Sequence, residues 1–436
     1  MSQSLWTPGS GLDTILRGPV SRTPKRGMEL VDLRGLGITQ GVAGGAPRQG
    51  THVAADVVTQ TADGRDLNVI WTEFMALLNA VNDERLALIR FLTFPVTNPV
   101  EQVAQPGDGV DFEDASEFGE PVGSRIQPSY FNIGYGFKWY DLAARYTWQY
   151  LADATAAMVE SVANAAVEAH WRKQLSVVFR RVFNSTTLSA TINQNAYSVY
   201  GFYNGSQGAD ITTPPTYKNN TFLSTHTHYK TTGTEGAGGA GVDSAALEAV
   251  DVDELILDDF SSHGYSQENG YRLVLMVHST VGNTIRNFRN AVSAGQSVGG
   301  NYGRFDFVPA QGQPGQLINV TQQLVGATQV APSLDGLNVI GSYGPFLVVQ
   351  DDWTPSTHVL SFATGGSESL INPVGLREHA QSGLRGLRLV KGRQPNYPLI
   401  DSFWTIGFGT GVRHRGGGIV LQLTSGTTYT PPALYA

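Results

Sequence analysis

The chain contains no cysteine in its 436 residues, which excludes disulfide staples, thiolate zinc sites and cysteine nucleophiles together. Charged residues are also scarce, at 15% against about 25% in typical soluble domains. A surface with so little charge is expected to be covered by something other than water, and contacts between subunits would cover it. Net charge is −8, so the chain is not built as a basic nucleic-acid binder. Any DNA contact would be local or mere containment. The first residues lack the basic-then-apolar order of a secretory signal, so the chain is expected to be made and kept in a cytoplasm. Tripeptides of the glycosylation type at Asn204 and Asn319 are then chance matches.

Motifs of catalysis are missing too. There is no Walker loop, nucleophile elbow or HExxH helix. Gly407-Phe-Gly409-Thr-Gly411 lies inside a strand pattern with no helix after it, which removes the dipole a phosphate would sit on. His226 and His228 could offer two imidazoles to a metal, with His263, His278 or Asp258 completing a site. Histidines separated by one residue in a Thr-rich loop read more simply as polar surface. The acidic group Asp251, Asp253, Glu254, Asp258 and Asp259 lacks a Gly-centred calcium loop and reads as a solvated helix or turn face. No catalytic residue, cofactor or metal is expected.

What is present is length and apolar patterning. Residues 137–184 read as one helix of roughly 45 residues, or ~65 Å. Its stripe runs through Leu151, Ala154, Met158, Val162, Ala165 and Ala169, then Trp171, Leu175, Val178 and Val182. Charges such as Glu160, Glu168, Arg172 and Arg180 exclude a membrane span. Neighbouring copies of the chain are the expected cover, which makes Trp171 and Leu175 candidate interface residues.

Residues 1–65 are rich in Gly, Pro, Ser and Thr and read as an extended arm, either solvated or laid along neighbouring subunits. One or two helices broken near Asn82-Asp83 and ended by Pro95 are expected over 67–94. Residues 96–136 carry six acidic residues between Asp108 and Glu120. Their length without a helix pattern predicts a projecting hairpin. Residues 186–245 read as a flexible polar connection. Beyond them, a helix start at Asp243, the buried-strand run Tyr271–His278, a helix over Ser279–Phe288, and strands at Phe305–Val308, Leu337–Ile340 and Pro345–Val349 predict a compact α+β domain. In 402–423, Trp404, Ile406, Phe408 and Val412 have the opposite parity to Ile419, Leu421 and Leu423, so a bulge or bend is expected at Gly416-Gly417-Gly418.

The order arm, helix, loop, very long helix, α+β domain and closing strand resembles the major capsid proteins of tailed bacteriophages. The last hundred residues add Asp351-Asp-Trp-Thr-Pro355, Ile371-Asn-Pro-Val-Gly-Leu-Arg377-Glu378, Gly386-Leu-Arg388-Leu-Val390 and Tyr397 through Arg415. These resemble the closing half of such proteins from phages of actinobacterial hosts. The resemblance implies an α+β capsid fold with 1–66 as N-terminal arm, 67–95 as helices leading to an extended loop at 96–136, and 137–245 as a peripheral domain holding the spine helix and polar connection. It further implies an axial domain at 246–370 and a return to the peripheral domain at 371–436 through a long C-terminal strand.

By the same resemblance, the chain is a structural protein forming hexamers and pentamers of an icosahedral shell around double-stranded DNA. It would be located in the virion, assembled in the bacterial host cytoplasm, and free of any membrane. Its partners would be copies of itself, with a separate scaffolding protein, a portal and decoration proteins. Some relatives join a loop lysine to an asparagine, but lysines occur here only at 25, 138, 173, 218, 230 and 391, none in the loop. The loop acids Asp111, Glu113, Asp114 and Glu117 are expected to dock on a neighbour's basic tract, Arg377, Arg385, Arg388, Lys391 and Arg393. Two alternatives share parts of this pattern: an encapsulin-type shell around a cargo enzyme, and a metal-dependent enzyme using His226 and His228.

Overall fold

A computed structural model describes residues 60–83, 87–105, 119, 129–205, 212–218, 220–234, 245–310, 333–334, 336–391 and 399–435. In chain order come helices α1 (Leu67–Asp83) and α2 (Ala87–Leu92), then strands β1 (Thr93–Val96), β2 (Val100–Gln105), β3 (Ser129–Gly134) and β4 (Gly136–Thr147). Helices α3 (Trp148–Asp153) and α4 (Ala156–Phe183) precede β5 (Leu188–Ile192), β6 (Asn195–Val199) and β7 (Tyr229–Thr231). A π-helical stretch (Asp251–Leu257) runs into α5 (Asp258–Ser262), followed by β8 (Arg272–Val277), α6 (Ser279–Ile285), β9 (Arg289–Asn290), α7 (Ala291–Ala294) and β10 (Tyr302–Gly303). Strands β11 (Phe307–Pro309), β12 (Ser333–Leu334), β13 (Leu337–Tyr343), β14 (Phe346–Gln350), β15 (His358–Thr364), β16 (Val374–Arg377), β17 (Arg388–Lys391), β18 (Leu399–Val412) and β19 (Gly418–Gln422) complete the order.

The chain divides into two compact units, one of Met1–Leu86, Phe137–Ser176 and Glu378–Phe408, the other of Ala87–Gly136, Val177–Arg377 and Gly409–Ala436. The second unit is organised by a sheet in the order β11-β13-β14-β8-β15-β19-β7, with β12 on β13. The apolar run Leu273–Val277 is central in it, parallel to β14 and antiparallel to β15. A strand flanked on both sides and covered on both faces needs no polar alternation. Leu273, Leu275 and Val277 share a core with Val252, Ile256 and Phe260 of the helical segment. The strands and helix expected between 271 and 349 therefore form, within a residue or three of their predicted ends.

The single helix expected over 137–184 does not form. Residues 136–147 are strand β4, paired with β18. Thr147 caps the short α3 by accepting from Tyr150 N, and Ala154 is extended, so α4 starts afresh at Ala156. The reason lies in the partner strand. A Cβ at Gly407 would come within 2.7 Å of the rings of Phe137 and Trp139, so this glycine of β18 leaves room for aromatic side chains on β4. This tertiary fit outweighs the helical spacing of the apolar residues. Helix α4 has 28 residues, or ~42 Å. Its buried face is also phased differently from the expected stripe at first. Val159, Ala163, Ala166, Val167, His170 and Gln174 are buried, while Met158 is 51% exposed. From Leu175 onward the expected Val178 and Val182 are buried.

The start of α4 is held by a distant carboxylate that no local pattern reveals. Both Asp63 oxygens accept from Ala156 N at 3.2 Å, and Arg65 pairs with Glu73 at 3.1 Å and Glu160 at 3.3 Å. Burial raises the Asp63 pKa, but hydrogen bonds from Thr61 and Ala156 outweigh it and the net shift is downward. An acid at a helix N-terminus satisfies an orphan donor and opposes the dipole's positive end. Asp63→Ala is therefore expected to cost about 1 kcal/mol, read as a lower urea midpoint. An unchanged midpoint would show that the cap contributes nothing.

The closing segment is two strands in different sheets rather than one bent strand. The second half of β18 pairs with β16, Val374 opposite Val412, while β19 joins β15 and β7 in the large sheet. The parity change falls at the turn between them. There the buried Arg415 donates to the Gly201 and Phe202 carbonyls and lies 4.6 Å from the ring centroids of both Tyr200 and Tyr203. The acidic group is likewise not a solvated face. Asp251, Asp253 and Asp259 are buried. Asp251 accepts from Glu248 N, and Asp253 accepts from Arg304 N and the Tyr343 hydroxyl. Asp258 forms an exposed pair with Arg304.

Candidate assembly surfaces

Four large apolar side chains between residues 139 and 158 stand in solvent in the isolated chain: Trp139 and Leu142 at 46%, Tyr150 at 40% and Met158 at 51%. Strand β4 explains the first two. Tyr140 meets Phe408 at 5.2 Å and lies under Lys173 Nζ at 4.6 Å. Trp139 meets Phe137 in a T-shaped contact at 5.2 Å and a tilted His379 ring at 5.9 Å, with Arg388 over its ring at 5.4 Å. Leu142 is left with almost half its surface free. Its exposure makes it a candidate for burial against another subunit.

Of the two helix residues selected from the sequence, Trp171 is half-buried, whereas Leu175 is only 3% exposed within the chain's own fold. Little of Leu175 remains for a neighbour to cover. The basic tract is partly engaged at home. Arg377 donates to the Tyr135 carbonyl at 2.8 Å, and burial lowers its pKa. Arg385 donates to the carbonyls of His379 and Ala380 at 2.8 and 3.0 Å while staying exposed. Arg388 sits over Trp139 as described. Lys391 ends β17. Arg393 and the loop acids Asp111, Glu113, Asp114 and Glu117 lie outside the described residues. The expected hairpin is present at its base, where Val100–Gln105 pairs antiparallel with Ser129–Gly134. Glu101 anchors it, accepting from the Tyr135 hydroxyl at 2.8 Å and pairing with Arg413 at 3.2 Å. The exposed side chains Trp139 and Leu142 of β4 were not singled out from the sequence because those residues read as part of a helix. The signal available was Phe137 and Trp139 two residues apart, a strand alternation beside Gly136.

No family model matches the chain, and no curated protein does. Among solved structures, one described as Mycobacterium phage Patience is 36% identical, covering 90% of this chain and 97% of its own, with a TM-score of 0.65. The mature capsid of bacteriophage PhiM1 is 8% identical over 77% of this chain and 86% of its own, TM-score 0.45. An encapsulin complex from Synechococcus elongatus is 13% identical over 79% and 89%, TM-score 0.39.

Proposed function

The chain belongs to the major capsid proteins of tailed bacteriophages, and from that premise we propose that its copies assemble as hexamers and pentamers into an icosahedral shell enclosing a double-stranded DNA genome. The observation that carries the reading is sequence identity to the phage structure sustained along nearly the whole of both chains. The low charge fraction and the exposed apolar side chains Trp139 and Leu142 of β4 support it, since a shell subunit buries a large share of its surface. The role is structural. DNA is contained rather than read, in keeping with a net charge of −8. In this reading residues 1–66 form the arm, 96–136 the extended loop, and α4 the spine of the peripheral domain. Residues 246–370 form the axial domain, whose sheet also takes in β19, and the return to the peripheral domain within 371–436 is made by the stretch Glu378–Phe408. Assembly takes place in the bacterial cytoplasm with a separate scaffolding protein, and the product is the virion shell with its portal and decoration proteins.

The test is light scattering and negative-stain imaging of the full chain, with scaffolding protein supplied, across a range of salt. Closed particles are expected, and a stable 46.8 kDa monomer under all these conditions would overturn the reading. The loop acids enter the same assay. Neutralising Asp111, Glu113, Asp114 and Glu117 together is expected to flatten the salt dependence of assembly, because exposed pairs contribute only ~0.2–1 kcal/mol each and are screened over ~10 Å at 0.1 M salt. A quadruple variant with the wild-type salt response would remove the docking of this loop on Arg385 and Arg388.

A further inference from the structure

His226 and His228 are not the polar surface the sequence suggested. Within the second unit they meet His263 and Asp259, and one ligand atom from each residue lies within 4.8 Å of all the others. The two histidines lead into β7, while Asp259 and His263 stand four residues apart on one face at the end of α5. Helix geometry explains why that face turns inward. The π-helical stretch before α5 takes more residues per turn, and each residue added to a turn rotates the following face by roughly 100°. His278 and Asp258 are elsewhere, His278 bonded to Thr280 and Asp258 to Arg304.

The proton balance of the cluster is the informative part. His228 Nδ1 is 2.8 Å from the Gly418 carbonyl, which can only accept, so this nitrogen carries the proton and Nε2 is a bare lone pair. That lone pair lies 3.1 Å from His263 Nε2, which is itself 2.9 Å from His226 Nε2. Asp259 Oδ1 closes the set, 3.2 Å from His226 Nε2 and 3.6 Å from His263 Nε2. If His263 Nε2 is protonated it serves His228, and His226 then faces either an N–H with its own N–H or a carboxylate with its lone pair. If His263 Nε2 is unprotonated, two lone pairs face each other at 3.1 Å. No arrangement of protons on neutral rings satisfies all four contacts.

We propose that His226, His228, His263 and Asp259 bind one divalent transition-metal ion of the zinc class, in a closed site that pins the segment before β7 to α5. A tetrahedral zinc ion with bonds of ~2.0–2.1 Å sets its ligand atoms ~3.3 Å apart, the spacing of most of these contacts. Three imidazoles and one carboxylate suit zinc, cobalt or nickel and not calcium or magnesium, which take oxygen sets. Outer partners orient the ligands as metal sites require. The Gly418 carbonyl fixes the His228 tautomer, and Lys230 Nζ holds Asp259 Oδ2 at 2.6 Å, leaving Oδ1 to face the nitrogens. Phe222 stacks on the His263 ring with centroids 3.9 Å apart. With four protein ligands and His228 fully buried, no coordination position is left for a substrate. The role is structural, as in closed zinc sites.

The test uses the full chain, as monomer, capsomer or shell, so it stands or falls separately from the shell reading. The chain is stripped with chelator, exposed to zinc or cobalt, desalted, and read by elemental analysis, cobalt absorption and thermal unfolding. The expected result is about one ion per chain, the visible absorption of tetrahedral cobalt, and a Tm that rises with zinc concentration. His226→Asn and His263→Gln should abolish all three responses, and His278→Gln should leave them intact. Should His263→Gln fail to fold, His226→Asn decides, because that side chain is 21% exposed and tolerates change. Wild-type protein that retains less than about 0.1 ion per chain with no Tm response would overturn the site, as would undiminished binding by His226→Asn.

Discussion

Leu142→Asp is expected to yield a folded chain that forms no shells. The side chain stands 46% exposed on β4, so a carboxylate there keeps its water in the isolated subunit and costs the fold little. At a subunit contact the same carboxylate would be stripped of water without a partner, at several kcal/mol per copy. Because a shell repeats each contact many times, a loss that would only weaken a dimer removes the closed product altogether. Trp171→Asp should act in the same direction with a larger penalty on the fold, since that side chain is already partly buried within the chain. The measurement pairs thermal unfolding of the subunit with particle yield by light scattering, and Leu142→Met serves as the isosteric control. Shells from Leu142→Asp at wild-type yield would show that β4 faces solvent in the particle.

Mild acid is expected to unfold the chain steeply. His170 and His358 are buried, and burial lowers both to about 4 from the ordinary 6.5. In the unfolded chain they take up protons near pH 6.5, which the folded chain does not accept until about pH 4. Stability from each is therefore complete above ~6.5 and is lost as the pH falls toward ~4. At 1.36 kcal/mol per unit, each contributes about 3 kcal/mol of loss, large against a total of ~5–15 kcal/mol. His170 offers the cleaner probe, because its Nδ1 has no hydrogen-bond partner among the described residues. His170→Met should raise the urea midpoint at pH 5 far more than at pH 7.5. Equal shifts at the two pH values would mean that His170 does not titrate between the two states.

Legibility in the sequence followed how local each determinant was. The run Tyr271–His278 carries its own burial in its composition, and the parity break near Gly416 marked the place where the chain leaves one sheet for another. Residues 137–147 misled because an apolar spacing compatible with a helix also fits a strand. The choice was made by Gly407, 270 residues from Phe137, which admits Phe137 and Trp139. The same holds for the histidine cluster. His226-Thr-His228 was visible, with His263 among the residues named to complete it, but Asp258 was named where Asp259 is the partner. The pattern that could have decided between them was Asp259 and His263 four residues apart on a helical segment, two donors on one face. Asp63 as the cap of α4 had no local mark at all.

Strand β1 pairs with β16, Thr93 beside Val374, and the side chain of Asn372 donates to the carbonyls of Arg90 and Thr93. On a ribosome moving at roughly 5–20 residues per second, on the order of 15 to 60 s separate the emergence of these two partners. Through that interval β1 is an apolar strand with open edges, and β7 waits likewise for β19. The chain thus closes these two edge pairings only once β16 and β19 have emerged, long after β1 and β7, and unfinished copies must be kept apart until then.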